Sequence, residues 1–119
     1  MAALTPNAAH PMRQLLALLP RLAQTPSHQP DFEASDPALL VQIAEACELL
    51  QRVTSLGISA IGQLLAHAAA EVDSGEFGQD AIEALGWVLS DMADAAAACL
   101  QLAAPCRRAA ADFTGARHE

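Results

Sequence analysis

The sequence predicts an all-α protein: a long antiparallel helical hairpin with a short N-terminal helix, doubled into a four-helix bundle as a dimer. Three observations carry that expectation. Pro37 to Val72 runs without an internal proline, and Leu40, Ile43, Cys47, Leu50, Thr54, Gly57, Ile61, Leu64 and Ala68 recur in it at steps of three and four. Those steps hold one apolar stripe on one side of a helix. A second stripe, Ile82, Leu85, Leu89, Met92, Ala96, Cys99, Ala103 and Cys106, alternates strictly between the same two steps, as in a coiled coil. The composition agrees. The chain of 119 residues is 53% hydrophobic but only 3% aromatic, has no tyrosine and contains 28 alanines. Strands favour aromatic and β-branched residues, whereas alanine suits closely packed helices.

The elements follow in order. Residues 1–10 are small and polar, and a chain end of that kind frays. Pro11 suits the first position of a helix. Met12, Leu15, Leu16, Leu19 and Leu22 then share a face, and Pro20 should kink or split the segment. The expected helix of about two to three turns docks its leucines on the main body, or serves as an arm for another chain. Gln24 to Ser35, QTPSHQPDFEAS, reads as a linker kept extended by Pro26 and Pro30, with Phe32 as its anchor. The first segment is therefore 1–36.

Asp36 before Pro37 is a helix start: the carboxylate can accept from a free backbone N–H, and proline there needs no donor. The long helix is expected to run to about Asp73, a length of roughly 54 Å, and Ser74-Gly75 to stop it. Glu76 to Gln79 forms a short connection, and Asp80 and Glu83 open the next helix where negative charge suits the dipole. Pro105 should bend or interrupt this helix. Residues 37–113 form the hairpin unit and 114–119 a tail.

So short a connection makes the two long helices antiparallel neighbours. Centred between Glu76 and Phe77, the turn pairs Leu64 with Leu89, Ile61 with Met92, Gly57 with Ala96, Thr54 with Cys99, Cys47 with Cys106 and Leu40 with Phe113. Gly57 is expected at a close approach of the two helices. Leu39, Val41, Leu49, Val53, Leu56, Ile58, Leu65, Val88, Leu100 and Leu102 fall outside this seam. The first helix can cover part of them, and a second copy of the chain is the expected cover for the rest.

The net charge is −8, all six basic residues are arginine, and Arg52 is the one basic residue between Pro37 and Ala104, against nine acidic ones. That balance excludes phosphate-led binding of nucleic acid, which needs a basic surface, and adsorption to anionic lipid. Val53 to Ala70 lacks formal charge but holds Thr54, Ser55, Ser59, Gln63 and His67, too polar for a membrane span. Cys47, Cys99 and Cys106 form no Cys-x-x-Cys pair, which points to a reduced, cytoplasmic setting. The lysine-free, alanine-rich composition suggests a bacterial gene of high GC content.

No GxSxG, GxxxxGK[ST] or GxGxxG loop is present. Glu45 and Glu48 have no histidine three residues on, so the carboxylate–histidine pairs of a bundle metal centre are missing. The expectation is a protein without catalytic residues, metal or cofactor: a small helical interaction protein, working as an adaptor, a chaperone-like factor or a regulatory subunit. The alternative is an acidic inhibitor or decoy of a nucleic-acid-binding protein. Candidate interaction residues are Trp87, Leu15, Leu19, Leu22 and Phe32. Trp87 lies off the main stripe and is either core beneath the first helix or an exposed anchor.

Overall fold

In a computed structural model of the chain, residues 10–73, 75 and 77–111 are described. Among them the structure is mostly helical and has no strand. The order is α1 (Pro11–Leu18), a 3-10 turn (Leu19–Arg21), α2 (Pro37–His67), α3 (Ala69–Asp73) and α4 (Gln79–Ala109). No described helix is long and apolar enough to cross a membrane.

Pro11 opens α1 as expected, and Pro20 splits the segment, the chain tightening into the 3-10 turn around it. Pro11, Leu15 and Leu18 are buried, and with the half-buried Leu22 they follow steps of four, three and four. The buried face is therefore turned slightly from the one expected. Leu18 replaces Leu16, which is 61% exposed.

The segment between α1 and α2 departs from expectation. It is folded on itself rather than extended. Gln24 and Pro30 form an isolated antiparallel bridge. The Thr25 N–H donates to the Gln29 carbonyl at 2.8 Å, and Asp31 N–H to the Ala23 carbonyl at 2.8 Å. His28 adopts a positive φ of 66° at the tip. The Ser35 hydroxyl donates to the Asp31 carbonyl at 2.8 Å and accepts from the Ala23 N–H at 3.0 Å. Ser35 is buried, so these bonds offset the cost of taking its hydroxyl out of water. Phe32 packs against the core as the anchor.

Asp36 caps α2 by accepting from the Ala38 N–H at 3.1 Å, with Pro37 in the first turn. The long helix does not reach Asp73 unbroken. At Ala68 the backbone relaxes to φ −94°, ψ 8°, and its N–H is shared between the Leu64 and Leu65 carbonyls. A three-centre bond of this kind is common where a helix ends. None of residues 55–71 is buried, so little tertiary contact holds the rod straight there. Gly75 sits at φ +85°, the left-handed conformation in which glycine has no Cβ penalty. Helix α4 runs on through Pro105 to Ala109, so of the expected bend or interruption the interruption does not occur. Proline removes one helical donor there, while Cys106 and Ala110 on either side of the next turn are buried. The stretch after Ala111, with Phe113 and the 114–119 tail, lies outside the described residues.

α2 packs along α4. Glu48 meets Arg107, and Gly57 faces Met92, so paired residues run in opposite directions along the two helices. The expected squeeze at Gly57 is absent. A Cβ built there would meet only the Met92 methyl at 4.0 Å, an ordinary contact. That partner lies one turn from Ala96.

The core is concentrated at one end. Leu39, Leu40, Ile43, Ala44, Ala46, Cys47 and Leu50 of α2 are buried with Cys99, Ala103, Cys106 and Ala110 of the α4 segment and Leu15 and Leu18 of α1. Beyond Thr54 on α2, and before Cys99 on α4, no described side chain is buried. The chain extends 60 Å along its longest axis, and α1 covers only one end of it.

Candidate interaction surface

The surface of interest follows from where α1 stops. Leu39, Ile43, Ala46 and Leu50 descend one side of α2 at steps of four, three and four, and all four are buried. The same period continues through Val53, Gly57, Ala60 and Leu64. On α4, Leu102, Ala98 and Ala95 line an apolar groove of about 220 Å³ with Met12, Leu15, Leu16 and Leu19 of the α1 segment and Leu50 of α2. Continuing at steps of four, three and four gives Asp91, Val88 and Ala84. The rows of helix positions that line the groove thus go on past the end of α1. Along those rows Val53 is 41% exposed, Leu64 69% and Val88 51%. Leu56 stands beside them, also exposed.

Large apolar side chains on a soluble-facing helix are ordinary when scattered singly. Here they fall in register along these rows, which is the pattern of a contact surface.

The adjoining outer face of α4, which shares Ala84 and Asp91 with that row, is different in kind. Asp80, Glu83, Trp87, Asp91 and Asp94 follow one another at steps of three, four, four and three, and all are exposed. Trp87 is 65% exposed. It lines a shallow depression of about 280 Å³ with Asp80, Glu83 and Ala84 of its own helix. No residue of another element contributes to that depression, so Trp87 is not core beneath α1. Of the other candidates, Leu15 is buried, and Leu19, Leu22 and Phe32 are half-buried against the core. Their packing joins α1 and its loop to α2 and α4.

The three cysteines converge in the core. Cys47 and Cys106 are fully buried and Cys99 nearly so. Cys47 lies beside both Cys99 and Cys106 in this cluster. The register expected from the stripes pairs it with Cys106, and Cys99 is a second neighbour. Burial pushes the Cys47 thiol up to about 12, and the neighbouring thiols add to the effect. Burial also raises Cys99 and Cys106. A raised thiol holds its proton and is a poor nucleophile. No group of three His, Cys, Asp or Glu side chains among the described residues is placed to hold a metal.

On the far side of the seam, the Arg107 guanidinium donates twice to Glu48, from Nη2 to Oε1 at 2.7 Å and from Nε to Oε2 at 3.2 Å. The hydrogen bond to Glu48 holds Arg107 above its usual value. Sequence reasoning missed this pair because both residues lie off the apolar stripes.

Comparison with known families, with curated proteins and with solved structures finds no match for this chain.

Proposed function

We propose that this chain is a non-enzymatic helical interaction protein, an adaptor, chaperone-like factor or regulatory subunit, whose helical hairpin pairs with a second copy in a four-helix arrangement. The observation that carries this reading is the pair of helix rows that outruns its cover. One end of the α2–α4 pair is closed by α1 and its loop, and the exposed Val53, Leu64 and Val88 continue the same helix rows beyond it. A second copy placed with the opposite polarity lays its own exposed rows on these. Burial of such side chains contributes about 1.5–3 kcal/mol each, against an ordering cost that a preformed helix face keeps small. Closed two-fold pairing uses one patch twice, the commonest solution among oligomers.

Co-expression of a tagged and an untagged copy tests the pairing. Untagged chain should co-purify with tagged chain and be lost from the Leu64→Asp/Val88→Asp variant. Recovery of tagged chain alone from the wild type contradicts the reading.

A second reading, an acidic inhibitor or decoy of a nucleic-acid-binding protein, is favoured by the outer face of α4. Four carboxylates stand there with no basic residue on the helix before Arg107. Under this reading nucleic acid competes with the chain for its partner, and binding weakens steeply with salt.

A further inference from the structure

We infer that the outer face of α4 is a docking site for an arginine-bearing helical segment of another protein, with Trp87 stacking on a guanidinium inside a frame of carboxylates. The inference deepens the interaction reading above and rests on it. Three observations lead to it. First, Trp87 is the one tryptophan in the chain and is 65% exposed, on the side of α4 away from α2. The core does not cover it. Second, the side chains at helical spacing around it are Asp80, Glu83, Asp91 and Asp94. Among the described residues none of these four carboxylates forms an ion pair. Third, the charge is of one sign along the face. An exposed tryptophan on a neutral surface suits any apolar partner. In a carboxylate frame it selects a cation, because the ring face and the acids attract the same group. Arginine fits better than lysine, since its planar guanidinium can stack on the indole and still bridge a carboxylate. The acids spaced along the face suit cations carried one turn apart on a partner helix.

The test uses the full chain and two fluorescein-labelled helical peptides, one with arginine one turn apart in an alanine background and one with glutamine in those places. The arginine peptide should bind saturably, change the emission of Trp87 and weaken as salt rises. The glutamine peptide should not bind. Trp87→Ala should weaken binding about fivefold. Glu83→Gln/Asp91→Asn should weaken it about tenfold at low salt. Glu33→Gln/Glu45→Gln removes the same charge elsewhere and should stay within about twofold. All these positions are exposed, and far-ultraviolet circular dichroism confirms that each variant is folded. Equal weakening by both charge pairs overturns the site, since bulk charge then explains the binding. Equal binding of the glutamine peptide overturns it in favour of an apolar partner, and unchanged Trp87 emission overturns it outright. A Trp87 emission that shifts to the blue with protein concentration alone overturns it in favour of a second copy. Repeating the titration with Leu64→Asp/Val88→Asp separates the two ideas. Peptide binding by a chain that never self-associates leaves this site standing and removes the paired hairpin.

Discussion

Arg107 reaches from α4 to Glu48 of α2 and grips both carboxylate oxygens. The two residues are 59 positions apart in sequence. They tie α2 to α4 next to the buried Cys47 and Cys106. The two charged side chains are partly exposed, 40% and 47%, so solvent screens the attraction and the bridge contributes about 0.5–1 kcal/mol. Arg107→Gln should lower stability by that amount in chemical denaturation, and Glu48→Gln should do the same. The double variant should cost little more than either single one. Because the folded state raises the arginine value, its contribution is fully present below the ordinary arginine range and fades only above it. The loss on substitution should therefore be unchanged between about pH 6 and pH 9.

The buried thiols do set a pH limit. In the unfolded chain a thiol titrates near 9.0, whereas burial pushes Cys47 up to about 12. A folded value above the unfolded one means that this stabilisation is complete below pH 9 and declines above it, as the unfolded chain ionises first. Cys99 and Cys106 shift in the same direction. Stability should fall above about pH 9, by up to about 1.4 kcal/mol per pH unit for each thiol. Cys47→Ala should flatten that fall, read from denaturation midpoints at stepped pH. A midpoint that holds steady to pH 11 contradicts the buried cluster. Iodoacetamide at neutral pH should leave the native thiols largely unmodified until denaturant opens the core.

Substitutions should separate the two ends of the molecule. Ile43 is fully buried, and Ile43→Ala should cost about 2–5 kcal/mol. Leu56 is 58% exposed, and Leu56→Ala should change the stability of a single chain by no more than about 0.5 kcal/mol. Comparable losses at the two sites, measured at a protein concentration too low for self-association, contradict a core confined to one end.

Gly57 and Gly62 lie within α2, and neither has a tight neighbour. A Cβ at Gly62 meets nothing within 4 Å. Each glycine weakens the helix through the entropy of the unfolded chain. Gly57→Ala and Gly62→Ala should each stabilise by about 0.4–1 kcal/mol, seen as higher thermal midpoints. A lower midpoint for Gly57→Ala shows that α2 and α4 approach there more closely than the Met92 contact allows.

Much of the helical layout was legible because it is local. Asp36-Pro37 announces a cap, Pro20 a break and Gly75 a stop, each through its own backbone chemistry. The neighbourhood of Cys47 and Cys106 was legible through the period of the two stripes, whereas Cys99, which that register set against Thr54, also lies beside Cys47. The folded loop was not, because it depends on Ser35 bonding to Ala23, 12 residues away, and nothing in a proline-rich segment announces a long-range bond. The relaxation at Ala68 had no signal either. It falls in a run of alanines where no side chain is buried and helix propensity favours continuing. For the candidate surface, period alone located Trp87 off the stripe. It could not say whether α1 reaches far enough to cover it, since that depends on how an eight-residue helix seats on α2. The extent of the uncovered face is set by α1 ending at Leu50 and Ala95, a tertiary contact with no local signal.

Self-association through that face is tested most directly by the mass of the wild-type chain in solution, measured by light scattering during size exclusion at micromolar concentration. A mass about twice the 12.4 kDa of the chain is expected, returning to a single chain in Leu64→Asp/Val88→Asp with its helical circular dichroism retained. A wild-type mass that stays at 12.4 kDa across all concentrations contradicts the paired hairpin.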